Sequence, residues 1–393
     1  MEEWKEYRLG DICDTISDTY KGNSPQVVLI NTSDVLEGKC LNHIPVPNKN
    51  LKGQFKKTFC NEDILYSEIR PANKRFAYID FEPKDYIAST RLMVIRSKEE
   101  VLPKYLYYIL QSNQMLDKLQ TLAETRSGTF PQITFSELAA QKIILPGLNS
   151  QKKIVQVLES INSKIELNRR INENLEQQAQ ALFNYYFIEH CEILGDYERG
   201  NLTEIANYTN GLPMQKFRPQ DGENGIPVLK IKELGQGQTD NSSDICSGNI
   251  ADEYKVTNGD IIFSWSGTLM IKVWCGGLCG LNQHLFKVTS EKYPKWYYYF
   301  WTKFHLNKFI RIAQDKAVTM GHIRRKDLES SEVLIPKMDA LTKIGNIINP
   351  IFNQIIEMKC ENNNLAEIRD TLLPKLMSGE LKILDIDDNN LQG

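Results

Sequence analysis

The chain follows one order twice: short apolar runs separated by turn residues, then a long helical pattern. The runs are rich in β-branched and aromatic residues, and Gly, Pro and Asn separate them, which predicts strands. Strands are predicted in the first half at 25–30 (PQVVLI), 63–69 (DILYSEI) and 91–96 (RLMVIR), and in the second half at 226–234, 259–267 and 283–288. Helices are predicted at 103–122 and 294–314. A mixed globular portion is therefore expected in each half.

The second half repeats the first half in register. Residues 127–187 superpose on residues 317–377 at a constant offset of 190 without a gap, so that Ile133 matches Ile323. The elements NEDILYS and NGDIIFS also correspond, at an offset of 197, so insertions lie between matched elements. A module that a chain carries twice is typical of a protein that presents two similar surfaces to a two-part target.

After Pro146 and Pro336 the apolar spacing changes to a period near 3.5, which predicts a long helix with an a/d seam in each half. The matching phase of the seams favours pairing of the two helices over packing of each helix on its own domain. From Leu158 to Tyr186 such a helix would span about 42 Å, close to one turn of B-DNA at ~34–36 Å. The predicted seam residues are Leu158, Ile161, Ile165, Asn172, Leu175, Leu182, Ile351, Ile355, Met358, Asn362, Leu365 and Leu372.

Two prolines bear on the second long helix. Pro350 and Pro374 cannot donate a backbone hydrogen bond, so the helix is expected to start or kink near them. The equivalent seam residues Asn172 and Asn362 are expected to be buried, at a cost in stability, and to fix the register of the pair.

The composition is typical of a folded chain of two domains, with 393 residues of which 41% are hydrophobic and 25% charged. The N-terminus MEEWKEYRLGD has no apolar segment and no run of about 18 apolar residues occurs, so secretion and membrane spanning are disfavoured and a cytoplasmic protein is expected. The eight cysteines form no CxxC pair, so free thiols are expected. Apolar residues and glycines separate Cys275, Cys279 and His284, so no metal site is expected there.

The net charge of −3 argues against nucleic acid, but basic residues cluster once in each half. Residues 49–75 contain seven basic and three acidic residues, a net +4, and residues 303–326 contain seven basic and one acidic residue, a net +6. A solvated face would explain one such cluster. A cluster in each half instead favours contacts with phosphate groups.

The motifs that would carry catalysis are weak. The run NPIF at 349–352 has the form of an amino-methyltransferase signature, but it lies within the heptad pattern and no glycine-rich cofactor loop follows a strand. Asp63 with Glu82-Pro83-Lys84 is a loose match to the carboxylate–lysine pattern of nucleases, and the proline disfavours a strand there. No GxxxxGK[ST], GxSxG or HExxH motif occurs. The sequence therefore indicates a binding protein with no catalytic residues.

Three segments resemble one family. The run SGTFPQITFSELAAQKIILPGLNSQKKIVQVLESINSKIELN (127–168) resembles the end of a target-recognition domain and the start of the conserved helix in specificity subunits of Type I restriction-modification systems. LLPKLMSGEL at 372–381 resembles the C-terminal signature of that family, and GLNQHLFKV at 280–288 resembles a strand of its second domain. The second copy departs from the pattern, with MGHIRR in place of FPQITF.

The resemblance implies an α+β fold with a pseudo-two-fold repeat. Two mixed α/β target-recognition domains would each be followed by a long helix, and the helices would pair as an antiparallel coiled coil. The implied boundaries are recognition domains at 1–148 and 196–338, helices at 149–190 and 339–380, and an acidic tail at 381–393.

The resemblance also implies the function and the partners. The subunit would read a bipartite, asymmetric sequence in double-stranded DNA and have no catalysis or cofactor of its own. Two methyltransferase subunits that bind S-adenosylmethionine would dock on it and methylate adenine, and an ATP- and Mg-dependent translocase and nuclease subunit could join.

Side chains that read bases are expected to be Arg, Lys, Asn, Gln, Ser, Thr or His near the basic clusters, because these groups pair with base edges. The candidates in the first half are Arg70, Lys74, Arg75, Arg91, Thr129 and Gln132. Those in the second half are Lys216, Arg218, Ser264, Ser266, Thr268, Gln283, His284, His322, Arg324 and Arg325. The aromatic runs YLYY and WYYYFW at helical spacing are expected in the core rather than as stacking platforms.

Two other functions remain open from the residues alone. The chain could be a DNA-modifying enzyme, a methyltransferase or nuclease with an unrecognised site, and activity of the purified chain alone would support that. It could also be a coiled-coil scaffold without sequence readout, and a partner complex without any sequence preference would favour that.

Overall fold

The computed structural model describes residues 4–49, 51, 53–126, 130–240, 242–315 and 322–381. The chain divides into two compact units, Met1–Asn162 with Ile368–Gly393, and Ser163–Glu367. Both dividing points lie within long helices, α5 (Leu148–Asn184) and α10 (Met338–Ser378), so each unit includes part of both helices. No helix in the described ranges is both long and apolar enough to cross a membrane.

Within the described residues, the first unit contains two four-stranded sheets, two strand pairs and short helices. Its elements before α5 are β1 (Lys5–Arg8), α1 (Leu9–Ile12), β2 (Cys13–Ile16), β3 (Gln26–Ile30), β4 (Val35–Leu36), β5 (Lys39–Cys40), β6 (Pro45–Pro47), β7 (Phe55–Lys57), β8 (Ile64–Ser67), β9 (Phe76–Tyr78), β10 (Tyr86–Ser89), β11 (Leu92–Ser97), α2 (Pro103–Gln111), α3 (Asn113–Arg126), α4 (Phe135–Ala139) and β12 (Lys142–Leu145). One sheet has the order β2-β11-β8-β9 and is antiparallel. A second has the order β6-β3-β10-β7, with β3 and β10 parallel, and β1 pairs with β12. The strand pair β4–β5 is separate.

The second unit repeats this topology. Its elements between α5 and α10 are β13 (Tyr197–Asn201), α6 (Leu202–Ile205), β14 (Asn207–Asn210), β15 (Ile226–Leu229), α7 (Ile231–Gln236), β16 (Ile245–Cys246), β17 (Lys255–Val256), β18 (Ile261–Ser264), β19 (Met270–Val273), β20 (Cys279–Leu281), β21 (Leu285–Thr289), α8 (Lys295–Asp315), α9 (Arg325–Glu329) and β22 (Glu332–Pro336). The sheets have the orders β14-β21-β18-β19 and β16-β15-β20-β17, and β13 pairs with β22. Apart from the β4–β5 pair, for which the described residues of the second unit show no counterpart, these are the orders of the first unit, which confirms the predicted repeat of two mixed domains.

The aromatic runs lie in the cores. Residues 105–108 are buried in the first unit and residues 296–301 are buried in the second. They pack through ring contacts such as Phe76–Tyr107 at 6.1 Å and Phe300–Phe352 at 6.0 Å. The prediction that these runs form core is confirmed. Their burial excludes them as platforms for nucleic-acid bases.

The predicted helix at 103–122 is broken in the structure. It forms two helices, α2 and α3, because Ser112 takes an extended conformation between them. The Ser112 hydroxyl donates to the Ile109 carbonyl at 2.8 Å, and its oxygen accepts from the Met115 backbone N–H at 3.3 Å. Serine commonly caps helices in this way, so one side chain ends one helix and starts the next.

The predicted strand at 226–234 is also corrected. Only Ile226–Leu229 is a strand, and Ile231–Gln236 is a helix. The Glu233 carboxylate accepts the Lys230 backbone N–H at 3.2 Å, and Gly237 ends the helix with φ of +82°. An acceptor three residues into a helix and a glycine after its end are local signals for a helix, and they outweigh the β-branched residues here.

Helix α10 neither starts at Pro350 nor ends before Pro374. It begins at Met338 and continues through both prolines. A proline inside a helix costs about 3 kcal/mol or more. Ile348 and Phe352 on either side of Pro350 are almost fully buried, so burial of this helix face offsets the missing backbone hydrogen bond.

The two long helices contact each other within each unit. In the second unit the Asn168 amide donates to Glu361 Oε2 at 2.7 Å and to Asn362 Oδ1 at 3.0 Å. In the first unit Arg369 donates to Asn162 Oδ1 at 3.3 Å. None of the twelve predicted seam residues is exposed, and Leu158, Asn172 and Ile355 are buried. Coiled-coil pairing along the whole helices stays a prediction.

Candidate nucleic-acid interface

A hydrogen-bonded loop follows β8 in the first unit and carries several of the candidate residues. We call residues 67–70, together with residue 91 and residues 131–133, the first loop frame. The Ile133 N–H donates to the Glu68 carbonyl at 2.8 Å, and the Glu68 N–H donates to the Arg91 carbonyl at 3.1 Å. Ile69 pairs with Gln132 in an isolated antiparallel bridge. Three segments that are distant in sequence are thus fixed side by side.

Two residues that follow β8 have a strained backbone. Arg70 and Lys74 have φ values of +45° and +53°, in the left-handed region that residues with side chains rarely adopt. The Arg70 N–H donates to the Pro131 carbonyl at 3.1 Å, and the Ala72 N–H donates to Gln120 Oε1 at 3.1 Å. Both basic side chains are exposed. Strained positions of this kind cluster at functional sites, because the surrounding structure must hold them in place.

Two basic residues of the first cluster have structural roles instead. The Arg75 guanidinium donates to the carbonyls of Ser33 at 3.2 Å and Val35 at 3.4 Å. The Lys57 ammonium donates to the Leu92 carbonyl at 2.8 Å, and burial lowers the pKa of Lys57. Nη1 of Arg75 is therefore engaged with the protein backbone, whereas base reading by its other nitrogens stays a prediction.

Arg91 and Gln132 are brought together by the first loop frame. Arg91 Nη1 donates to Gln132 Oε1 at 3.4 Å, and the Arg91 side chain is exposed. The candidate Thr129 lies outside the described residues.

The second unit builds the same arrangement at the positions that the offsets predict. The second loop frame comprises residues 264–267, residue 284 and residues 322–323. The Ile323 N–H donates to the Trp265 carbonyl at 2.9 Å, and the Trp265 N–H donates to the His284 carbonyl at 3.4 Å. Ser266 bridges His322 as Ile69 bridges Gln132. Gly267, the counterpart of Arg70, also has a positive φ, of +63°.

The side chains on the second loop frame are aromatic and imidazole groups. Trp265 is half-buried, and its ring lies 6.0 Å from that of His284 and 6.2 Å from that of His322. Its indole N–H donates to Asn210 Oδ1 at 3.0 Å. Ser266 Oγ and His284 Nδ1 are 3.1 Å apart, so one of them donates to the other. The second loop frame thus presents aromatic and imidazole side chains on a backbone arrangement that matches that of the first loop frame.

Two candidate serines of this frame are buried. Ser264 has no exposed surface, and its hydroxyl donates to the Ser266 carbonyl at 3.2 Å, as Ser67 does to Ile69 in the first frame. Ser264 therefore leaves the candidate set, since its hydroxyl supports the loop and does not reach the surface. Ser266 is 5% exposed and engages His284, so it positions that imidazole.

The remaining candidates of the second unit lie at or near the surface. Lys216, Arg218, Thr268, Arg324 and Arg325 are exposed, and Gln283 and His322 are half-buried. Arg325 is 3.6 Å from Glu329, an ion pair too exposed to hold the guanidinium tightly. From the second basic cluster, Lys303 and Lys308 are engaged with the protein: burial lowers the pKa of Lys303, and Lys308 donates to the Ser330 carbonyl.

A cleft adjoins the second loop frame. Its volume is about 240 Å³, and Asn207, Asn210, Tyr208, Phe286 and Arg325 contribute to its walls. Asn210 connects it to the frame, because this residue accepts the hydrogen bond from Trp265. Exposed donors and aromatic faces therefore lie next to the candidate surface.

The weak catalytic motifs have structural roles. Phe352 of NPIF is buried against Tyr299 and Phe300. Asp63 is buried and accepts from Arg96 at 2.7 Å, and this hydrogen bond raises the pKa of the Arg96 guanidinium. Among the described residues, no three His, Cys, Asp or Glu side chains group as a metal site requires.

Glu68 and Trp265, which occupy the central position of each loop frame, are not among the candidates that the sequence predicts. The offset of 197 that relates the two strands would have matched them and marked the position. Neither Glu68 nor Trp265 lies in a recognised sequence motif, so only the comparison of the two repeats could have identified this position.

Comparisons with known proteins agree with this doubled arrangement. The model of the Type I restriction modification DNA specificity domain matches residues 1–177 and again residues 195–367. The chain is 27% identical over 460 residues to the Type I restriction enzyme HindI specificity subunit of Haemophilus influenzae, over 97% of this chain and 100% of that protein. It is 27% identical over 315 residues to the MjaIX specificity subunit of Methanocaldococcus jannaschii, over 74% of this chain and 71% of that protein.

A solved structure shares the fold. The S subunit of a Type I restriction-modification system from M. genitalium matches with a TM-score of 0.52 at 17% identity, over 96% of each chain. Because the family model accounts for most of the sequence and occurs once in each half, this chain belongs to the Type I restriction modification DNA specificity family.

Proposed function

We propose that this chain reads a bipartite, asymmetric sequence in double-stranded DNA, with one recognition domain on each half of the target. It would direct the methylation of adenine, and in a complete system restriction, by partner subunits. The chain itself would contribute specificity and no catalytic step.

One observation carries this proposal: the two units build the same loop frame and place different side chains on it. Protein–DNA contacts to phosphate position the protein, whereas side chains on base edges select the sequence. A repeated backbone would place both domains on DNA in the same way. Arg91 and Gln132 in one frame, and His284 and His322 in the other, would then select different bases. An asymmetric two-part target follows.

The long helices support a fixed spacing between the two half-sites. Within the second unit, Lys164 lies 3.5 Å from Glu361 and Glu176 lies 2.6 Å from Lys359. Later residues of α5 thus meet earlier residues of α10, which supports an antiparallel pair. A continuous pair of this kind would be a stiff spacer near one DNA turn in length.

The partners follow from the function. Two methyltransferase subunits would bind S-adenosylmethionine and dock on the chain, and a translocase and nuclease subunit that uses ATP and Mg would join them. We place these cofactors in the partners and none in this chain.

Domain exchange tests the proposal. Residues 1–145 are replaced by the equivalent domain of another specificity subunit, the chain is expressed with its methyltransferase partner, and the host methylome is sequenced. One half of the methylated motif should change and the other should stay. The reciprocal exchange of residues 196–335 serves as the matched control and should change the other half. Changes in both halves, or methylation without a motif, would contradict independent reading.

A further inference from the structure

The first loop frame places a guanidinium, which can only donate hydrogen bonds, beside the amide of Gln132. A guanidinium has N–H donors and no acceptor. It therefore must face the amide oxygen of Gln132, as the hydrogen bond between Arg91 Nη1 and Gln132 Oε1 shows. One lone pair of the Gln132 oxygen accepts from Arg91, and the guanidinium presents only N–H groups to DNA.

The backbone of this pair is fixed on both sides. The Arg91 carbonyl accepts from Glu68, and its N–H donates to the hydroxyl of Ser89, which is 1% exposed. Gln132 is fixed by its bridge to Ile69. A fixed backbone and the contact between the two side chains reduce the conformational freedom that is lost on binding, so this placement favours specific contacts.

Arg91 also differs from two neighbouring arginines, Arg75 and Arg96. Arg96 is paired with Asp63 at 2.7 Å, and Arg75 binds backbone carbonyls. Within the described part of the chain, Arg91 has no carboxylate within ion-pair distance, so its remaining donors face solvent at the frame.

We propose that Arg91, positioned by Gln132, reads a guanine in the half-site of the first recognition domain. This inference rests on the proposed function. Guanine shows two acceptors, N7 and O6, in the major groove, whereas adenine shows one acceptor and one donor. The Arg91 guanidinium has no acceptor for the amino group of adenine. Arg91 therefore matches the two acceptors of guanine and mismatches adenine.

The test uses the complex of this chain with its methyltransferase partner. The methylome gives the motif, and domain exchange assigns one half to residues 1–145. Each guanine of that half is then replaced singly by 7-deazaguanine, which lacks the N7 acceptor, and the Kd of each duplex is measured. At one position the wild-type complex should lose affinity, by at most the roughly 5- to 150-fold that a whole bidentate base contact contributes, because O6 still accepts one hydrogen bond.

Arg91→Ala should bind the natural duplex more weakly and lose its sensitivity to 7-deazaguanine at that position alone. Gln132→Ala should retain part of the sensitivity, because it keeps the guanidinium and loses only its orientation. His284→Ala, at the matching position of the second loop frame, is the control and should keep the full sensitivity.

Three outcomes would overturn the inference. Arg91→Ala could keep the 7-deazaguanine effect at every position, or the wild-type complex could show no such effect in this half-site. Arg91→Ala could also weaken all duplexes equally while the salt slope falls by about 0.9, which is the signature of binding to a phosphate. A wild-type complex without any sequence preference would instead refute the proposed function.

Discussion

The two buried asparagines of α5 should respond in opposite ways to the same substitution. Asn168 donates to Glu361 and Asn362, and both Asn168 and Asn172 have a buried side-chain oxygen without a hydrogen bond within the described residues. Asn172→Leu and Asn168→Leu therefore each remove one unpaired acceptor. Only the change at position 168 also removes donated hydrogen bonds.

The magnitudes follow from these hydrogen bonds. A buried polar group without a partner costs about 1–3 kcal/mol, so Asn172→Leu should raise the free energy of unfolding by about 1–2 kcal/mol. Asn168→Leu removes the cost of an unpaired acceptor in the same way. It also loses a hydrogen bond to a carboxylate, worth about 1.5–3 kcal/mol, and one to a neutral amide, worth about 0.5–1.5 kcal/mol. The two variants should differ by about 2–4 kcal/mol, with Asn168→Leu the less stable.

Tryptophan fluorescence during denaturant unfolding suits this test. Four of the five tryptophans, Trp265, Trp274, Trp296 and Trp301, belong to the second unit, which also contains both asparagines and their partners. The signal therefore reports mainly on the unit that changes.

Asn174→Leu provides the matched control, because Asn174 is exposed on the same helix. It should change the free energy of unfolding by no more than about 0.5 kcal/mol. The reasoning would be refuted if Asn172→Leu destabilised the unit, or if the variants at 168 and 172 agreed within about 0.5 kcal/mol, the usual limit of such comparisons.

Three further predictions concern the DNA surface, pH and the helix pair. Charge reversal at Arg70 and Lys74, whose side chains are exposed on a strained loop, should lower the salt slope of DNA binding by about 0.9 for each phosphate that is no longer neutralised, and an unchanged slope would remove them from the interface. Burial lowers the pKa of His305, so the unfolded state binds the proton first and the second unit should lose stability as pH falls below the ordinary value of about 6.5. His305→Gln should flatten that dependence in fluorescence-monitored unfolding, and equal pH profiles would contradict this. Insertion of one heptad near Asn172 and one near Asn362 should lengthen the helix pair by roughly 10 Å and widen the gap in the methylated motif by about three base pairs, and an unaltered gap would mean that the helices do not set the spacing.

Local patterns in the sequence were enough to predict the repeat, most strands and the aromatic core. These features depend on spacing within a few residues or on direct comparison of the two halves. Local signals also explain the corrected elements, since the Ser112 cap and the Glu233 and Gly237 signals were present in the sequence but competed with apolar patterns.

The expected start of α10 at Pro350 is wrong for a different reason, and the alternative, a kink there, stays a prediction. The helix continues through Pro350 because Ile348 and Phe352 are buried in the second unit. A tertiary contribution of this kind cannot be read from a proline and its neighbours, because its size depends on what packs against the helix.

The candidate site, like the fold, was determined partly by the sequence and partly by the tertiary structure. The sequence alone determined which basic residues exist and that each half carries a cluster. Only the tertiary structure decided that Arg75 binds carbonyls of residues 33 and 35 while Arg91 lies exposed beside Gln132. Hydrogen bonds between segments some 40 residues apart make that distinction. The folded backbone brings these segments together and so determines which hydrogen-bond partners meet. The spacing of residues along the chain does not specify these partners.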